Sequence, residues 1–241
     1  MALPKLDVAI YELELPSTGE TISYRPFLVK EEKILLMAME GEDQKEITKA
    51  IKQIINNCIV SQPAPNVDKL PLFDIEFILL NLRSRSMGDT IKTSYSRRGC
   101  ENPECKPIEF EIDIGSVSVH KDPEHTNKIE LTDSIGLIMK YPDVNLMAGM
   151  RNISEIKADD AFDMVVKCID KIYDEDEVSN QKDYTPKELK AWIESLTQEQ
   201  FAKIEKFFNT VPKMYKDIKF DCKKCGYKEE IRIEGLASFF G

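Results

Sequence analysis

Four of the six cysteines fall in two close pairs, Cys100 and Cys105 in "CENPEC" and Cys222 and Cys225 in "CKKCG". Each pair sits between strand-like patterns. "DTIKTSYSRRG" precedes the first pair and "KPIEFEIDIGSVSV" follows it, with Ile108, Phe110, Ile112 and Ile114 alternating with polar residues. "KDIKFD" and "EEIRIEGLASFFG" flank the second pair. Zinc ribbons have this design: two β-hairpins, each offering two thiolates from its tip. Cys-x2-Cys followed by glycine, as at Gly226, suits a tight turn whose backbone amides face the sulfurs. The four-residue gap in the first pair lies within known ligand spacings. The pattern therefore predicts one structural zinc per chain, bound by Cys100, Cys105, Cys222 and Cys225. Four thiolates close the coordination sphere, so such an ion is not catalytic.

Residues 106–221 separate the two pairs. A metal clip across so long a loop would strongly restrict the unfolded chain. Two alternatives stand beside zinc: unmetallated reduced thiols, and a redox dithiol. The redox reading fits less well, because a redox Cys-x2-Cys opens a helix, whereas here strands flank the motif.

Net charge is −10, from 33 Lys and Arg against 43 Asp and Glu. An acidic surface repels phosphate backbones and argues against nucleic acid as the main partner. No apolar run is long enough to span a membrane. The opening "MALPKLDVAIYELEL" lacks the basic and apolar regions of a secretory signal, so a reducing compartment is expected.

The elements predict an α+β fold. Residues 8–28 read as a hairpin through Ile10, Leu13 and Leu15, turning at "PSTGE". Helical patterns follow: one with Ile34, Leu35, Met37 and Met39, one with Ile47, Ile51, Ile54, Ile55 and Cys58, and a third ending near Gly88. The middle of the chain also reads as helical, over "TDSIGLIMKYPDVNLMAGM" and over "KADDAFDMVVKCIDKIYDEDE", where Phe162, Val165, Val166, Ile169 and Ile172 share a face. Thr185, Pro186 and Glu188 spell a capped helix start, and Thr197 with Gln200 repeats the capping box. The expected organisation is 1–88, an N-terminal hairpin plus helices; 89–118 with 216–241, a discontinuous zinc-ribbon-like β module; and 119–215, a helical insertion.

Cys58 and Cys168 fit buried core positions. His120 and His125, in "VHKDPEHTN", read as surface residues. No Gly-rich phosphate loop, His-Glu-x-x-His or Gly-x-Ser-x-Gly occurs, which argues against an enzyme and against a small-molecule substrate. Arg83, Arg85, Lys92, Arg97 and Arg98 form the one dense basic region, beside the first cysteine pair. It suits acidic groups of this chain or of a partner, with nucleic-acid contact by a zinc ribbon as a further option. The apolar end "EGLASFFG", with Leu236, Phe239 and Phe240, needs cover from the protein's own core or from a partner.

"MALPKLDVAIYELELPSTGETISYRPFLVKEEKILLMAME" and "CKKCGYKEEIRIEGLASFFG" resemble the two ends of the baseplate hub subunit family of T-even-like contractile-tailed phages. The resemblance implies a structural or assembly protein of the tail, made in the host cytoplasm and placed in the virion baseplate. Its partners would be other tail and baseplate proteins, including the tape-measure protein anchored at the hub. A tape-measure chaperone absent from the mature virion fits the sequence equally well. The resemblance carries no residue roles, so the cysteine assignment rests on spacing.

Overall fold

The structure is a computed structural model that describes residues 7–41, 43–95, 108–149, 158–222 and 224–235. The chain forms two compact units: Met1–His120 with Lys213–Gly241, and Lys121–Pro212.

The first unit opens with the hairpin β1 (Tyr11–Glu14) and β2 (Thr21–Tyr24), paired Tyr11 to Tyr24 through Glu14 to Thr21. Leu15, Ile22 and Tyr24 are buried, whereas Ile10 is exposed; the inward set runs through Tyr11, Leu13 and Leu15 and omits Ile10. Helices α1 (Val29–Glu40), α2 (Gln44–Cys58) and α3 (Leu72–Met87) follow. On α2 the stripe Ile54, Ile55 and Cys58 is buried, as its 3- and 4-residue spacing predicts.

Two buried carboxylates tie hairpin and helices together. Asp74, in the first turn of α3, accepts from the amide of Ser17 at 3.0 Å and from its hydroxyl, which fixes the hairpin turn on that helix. Glu31, in the first turn of α1, accepts from Arg25 Nη2 at 3.1 Å and from the Leu28 amide at 2.9 Å. Burial alone would raise the Glu31 pKa. The bonds from Arg25 and Leu28, with the charges of Arg25 and Lys30, outweigh it and hold the carboxyl below its usual range.

The rest of this unit is two hairpins. Strands β3 (Thr90–Tyr95) and β4 (Ile108–Asp113) pair antiparallel. Strands β5 (Ser118–His120), β10 (Lys213–Asp221) and β11 (Lys228–Glu234) form a three-stranded sheet in the order β11-β10-β5. His120 pairs directly with Lys213, so the chain leaves this unit and re-enters it on adjacent strands.

The second unit differs from the helical reading of residues 119–215. It contains a four-stranded antiparallel sheet, β6 (Lys128–Glu130), β7 (Gly136–Met139), β8 (Ile169–Tyr173) and β9 (Val178–Asn180), in that order. Helices α4 (Val144–Gly149), α5 (Ala158–Cys168), α6 (Pro186–Glu194) and α7 (Gln198–Thr210) complete it. Two features misled the periodicity. Helix α5 stops at Cys168 and the chain continues extended, yet Ile169 and Ile172 satisfy helical spacing as well as strand pairing. The Gly-Leu-Ile-Met run of β7 is too short for period alone to assign. Pairing with β8 decides it: Gly136 faces Tyr173, whose ring folds over it so closely that an added Cβ would collide with the hydroxyl oxygen.

The capped starts of α6 and α7 form as predicted. Thr185 accepts from the Glu188 amide and Thr197 from the Gln200 amide, and both capping boxes are reciprocal. The core of this unit joins Ile129, Leu137 and Ile169 of the sheet to Val165, Leu189, Ile193, Ile204 and Phe207 of the helices.

His125 is half-buried in this core, not a surface residue as its polar loop suggested; His120 is exposed. The His125 ring stacks on Tyr141 at 5.5 Å and lies 5.2 Å from the Phe207 ring. Its Nδ1 meets Thr210 Oγ1 at 2.8 Å, and that hydroxyl donates to the Lys206 carbonyl, so Nδ1 carries the proton. The buried Nε2 has no hydrogen-bond partner among the described residues. Burial lowers the His125 pKa below 6.5, opposed by the nearby charge of Asp122.

A depressed histidine pKa means that the unfolded chain takes up this proton at higher pH than the folded one. The stabilisation is full above about 6.5 and is lost as pH falls through the folded value. Urea unfolding between pH 7.5 and 5 should show stability falling below 6.5, and His125→Phe should remove that part of the slope. An unchanged slope in the variant would exclude His125 as its source.

Candidate metal centre

The two cysteine-bearing segments connect the strands of two neighbouring hairpins. Tyr95 and Ile108 are paired across β3 and β4, so residues 96–107 link the ends of one hairpin. Cys100 and Cys105 lie on that link, outside the described residues, as do Arg97 and Arg98. Asp221 and Lys228 are paired across β10 and β11, which places Cys222 and Cys225 in the turn of the other. Within that turn the Cys222 amide donates to the Tyr227 carbonyl and the Gly226 amide to the Cys222 carbonyl, both at 2.8 Å. Gly226 has φ of +69°, a conformation that favours glycine. Cys222 is buried and Cys225 exposed.

Cross-strand charge fixes the register of the β10–β11 hairpin, and hence the place of its turn. Asp217 faces Arg232, Lys219 faces Glu230 and Asp221 faces Lys228. Arg232 binds both carboxylate oxygens of Asp217, at 2.8 and 2.9 Å, and lies 3.9 Å over the Tyr215 ring. That ring in turn stacks on His120 at 4.1 Å. A slip of two residues in one direction would set Asp217 against Glu234 and Lys219 against Arg232. The opposite slip would set Asp217 against Glu230 and Lys219 against Lys228. Each exposed pair contributes little alone, but either two-residue slip juxtaposes like charges.

A shared core joins the hairpins. Ile91 and Ile112 of β3 and β4 belong to one buried cluster with Met214 of β10 and Leu80 of α3, and Ile218 and Ile233 pack against it. Nearer the connections, Phe110 and Phe220 meet edge to face, with ring centroids 6.2 Å apart. Phe220 lies two residues before Cys222, and Phe110 two residues after the start of β4. Both connections therefore leave the packed pair at the same end.

Among the described residues no group of three or more His, Cys, Asp and Glu side chains could hold a metal; two of the four predicted thiols lie outside them. The remaining cysteines are core residues, as their positions predicted. Burial pushes the Cys58 thiol up to about 11 and the Cys168 thiol up to about 12, so neither is poised as a nucleophile or ligand.

In the described part of the basic cluster, Arg83 Nη1 is buried with no hydrogen-bond partner among the described residues, whereas Arg85 and Lys92 have contacts within the fold. Arg85 lies 4.8 Å over the Tyr11 ring, Lys92 pairs with Glu111 at 3.2 Å, and Arg83 is half-buried on α3. Sequence reasoning did not foresee the aromatic partner of Arg85. Leu236, Phe239 and Phe240 lie outside the described residues. No helix among the described residues is long and apolar enough to cross a membrane.

The described residues thus form an α+β fold in which opposite charges pair across β10 and β11 and Cys222 and Cys225 occupy the turn between them. A model of the T4 bacteriophage base plate protein family matches residues 8–241, and the chain belongs to that family. It is thus a phage baseplate protein, with other baseplate proteins as partners and the tail baseplate as its place in the virion. Membership suggests a structural, non-enzymatic role. No curated protein and no solved structure matches the chain.

Proposed function

We propose that this protein is a component of the baseplate hub, and that one structural zinc on Cys100, Cys105, Cys222 and Cys225 clips its two distant hairpins together. The family match supports the assembly role. The Phe110–Phe220 contact carries the metal reading, because it directs both cysteine-bearing connections to the same end of the packed pair. In this reading 89–118 and 216–241 act as one discontinuous module, with 119–215 inserted between them. Zinc would supply no chemistry beyond holding the ends, which removes loop entropy from the unfolded chain. Assembly takes place in the host cytoplasm, where reduced thiols are available for the ion.

The second reading is a chaperone that holds the tape-measure protein and then leaves. Exposed Ile10, Val29, Leu36, Met37 and Met87 on the first unit favour a surface that another chain covers. Nucleic-acid binding is disfavoured, since Arg85 and Lys92 already have partners within the fold.

Mass spectrometry of purified particles beside infected lysate separates the two assembly roles. A hub component is present in both at a fixed ratio to other baseplate proteins; a chaperone is found in lysate alone. For the metal, elemental analysis of the purified chain should give one zinc, lost in both Cys100→Ser and Cys222→Ser. Zinc retained in Cys100→Ser would show that the first pair is not a ligand set.

A further inference from the structure

Helix α1 turns two different faces outward and inward. Glu31 is fully buried, and Ile34, Leu35 and Ala38 are half-buried on the same side, against the rest of the first unit. Directly opposite, at steps of four, three and four residues, stand Val29, Lys33, Leu36 and Glu40, all exposed, with Met37 beside them. Val29 is 82% exposed, Leu36 56% and Met37 62%. A helix with apolar side chains on both faces needs cover on both.

The charges on this outer face indicate what covers it. Lys33 lies three residues before Leu36, and Glu40 three residues after Met37. The stripe is therefore antisymmetric in charge about a point midway between the two apolar residues. We propose that α1 pairs with α1 of a second copy of this chain, antiparallel, about a two-fold axis passing between Leu36 and Met37. In that arrangement each Leu36 packs on the other copy's Met37, and each Lys33 meets the other copy's Glu40, giving two equivalent ion pairs. This is the self-complementary patch that a two-fold interface requires. A parallel pairing would set Lys33 against Lys33 and Glu40 against Glu40. An unrelated partner would have no reason to match the antisymmetry.

Helix α1 has 12 residues, about 18 Å of helix, so the contact is small and the dimer concentration-dependent. The pairing rests on α1 alone and on neither the metal nor the hub assignment.

Sedimentation of the full chain over a range of concentrations tests it, using wild type, K33E, E40K and an equimolar mixture of the two variants. Wild type should pass from monomer to dimer. Each variant alone places like charges at both ion-pair positions and should need at least about tenfold more protein to dimerise. The mixture should recover dimers, because each variant brings the charge that the other lacks, a result that misfolding cannot imitate. A wild type that stays monomeric, variants that dimerise as wild type does, or a mixture no better than its parts would overturn the pairing.

Discussion

The pairing of β5 with β10 governs the architecture. It sets Ser118–His120 against Lys213–Tyr215, so two segments far apart in sequence become neighbouring strands. Hydrogen bonds between them offset only part of the loop-closure entropy; the apolar contacts that the pairing enables must contribute the rest. Met214 enters the cluster of Ile91, Ile112, Ile114 and Val117, and β10 then runs on to bring Phe220 against Phe110. Everything proposed for the cysteines follows from that path.

The protein handles its acidic excess in two ways. Most carboxylates stay at the surface, where opposite charges across strands set register more than they add stability. Glu31 and Asp74 are instead fully buried, and each is held by specific donors. Buried carboxylates of this kind cost desolvation and repay it only in one geometry. They therefore specify where the N-terminal hairpin sits on the first and third helices. In the second unit the analogous constraint is the stack of His125 with Tyr141 and Phe207, which is apolar in character and favours the neutral imidazole.

The N-terminal hairpin, the first three helices and the two capping boxes were legible in the sequence, because each rests on local periodicity or on a side chain bonding its own backbone. The strands beside the cysteine pairs were legible too, through the alternation of Ile108, Phe110, Ile112 and Ile114. The sheet of the second unit was not. Gly136–Met139 and Ile169–Tyr173 are extended because of what lies beside them, and Gly136 takes its place by accepting the Tyr173 ring across the ladder. His125 was misread for the same reason, since polar neighbours in sequence conceal an aromatic pocket built from Tyr141 and Phe207. The cysteine spacing pointed to a metal, but only the packing of Phe110 on Phe220 brings the two connections to one end.

X-ray absorption at the zinc edge of the purified chain tests the central claim, that both hairpin ends hold one ion. The account predicts four sulfur neighbours at about 2.3 Å and no nitrogen or oxygen in the coordination shell. Two sulfurs with lighter atoms completing the shell would mean that one cysteine pair binds without the other. The clip across the chain would then not exist.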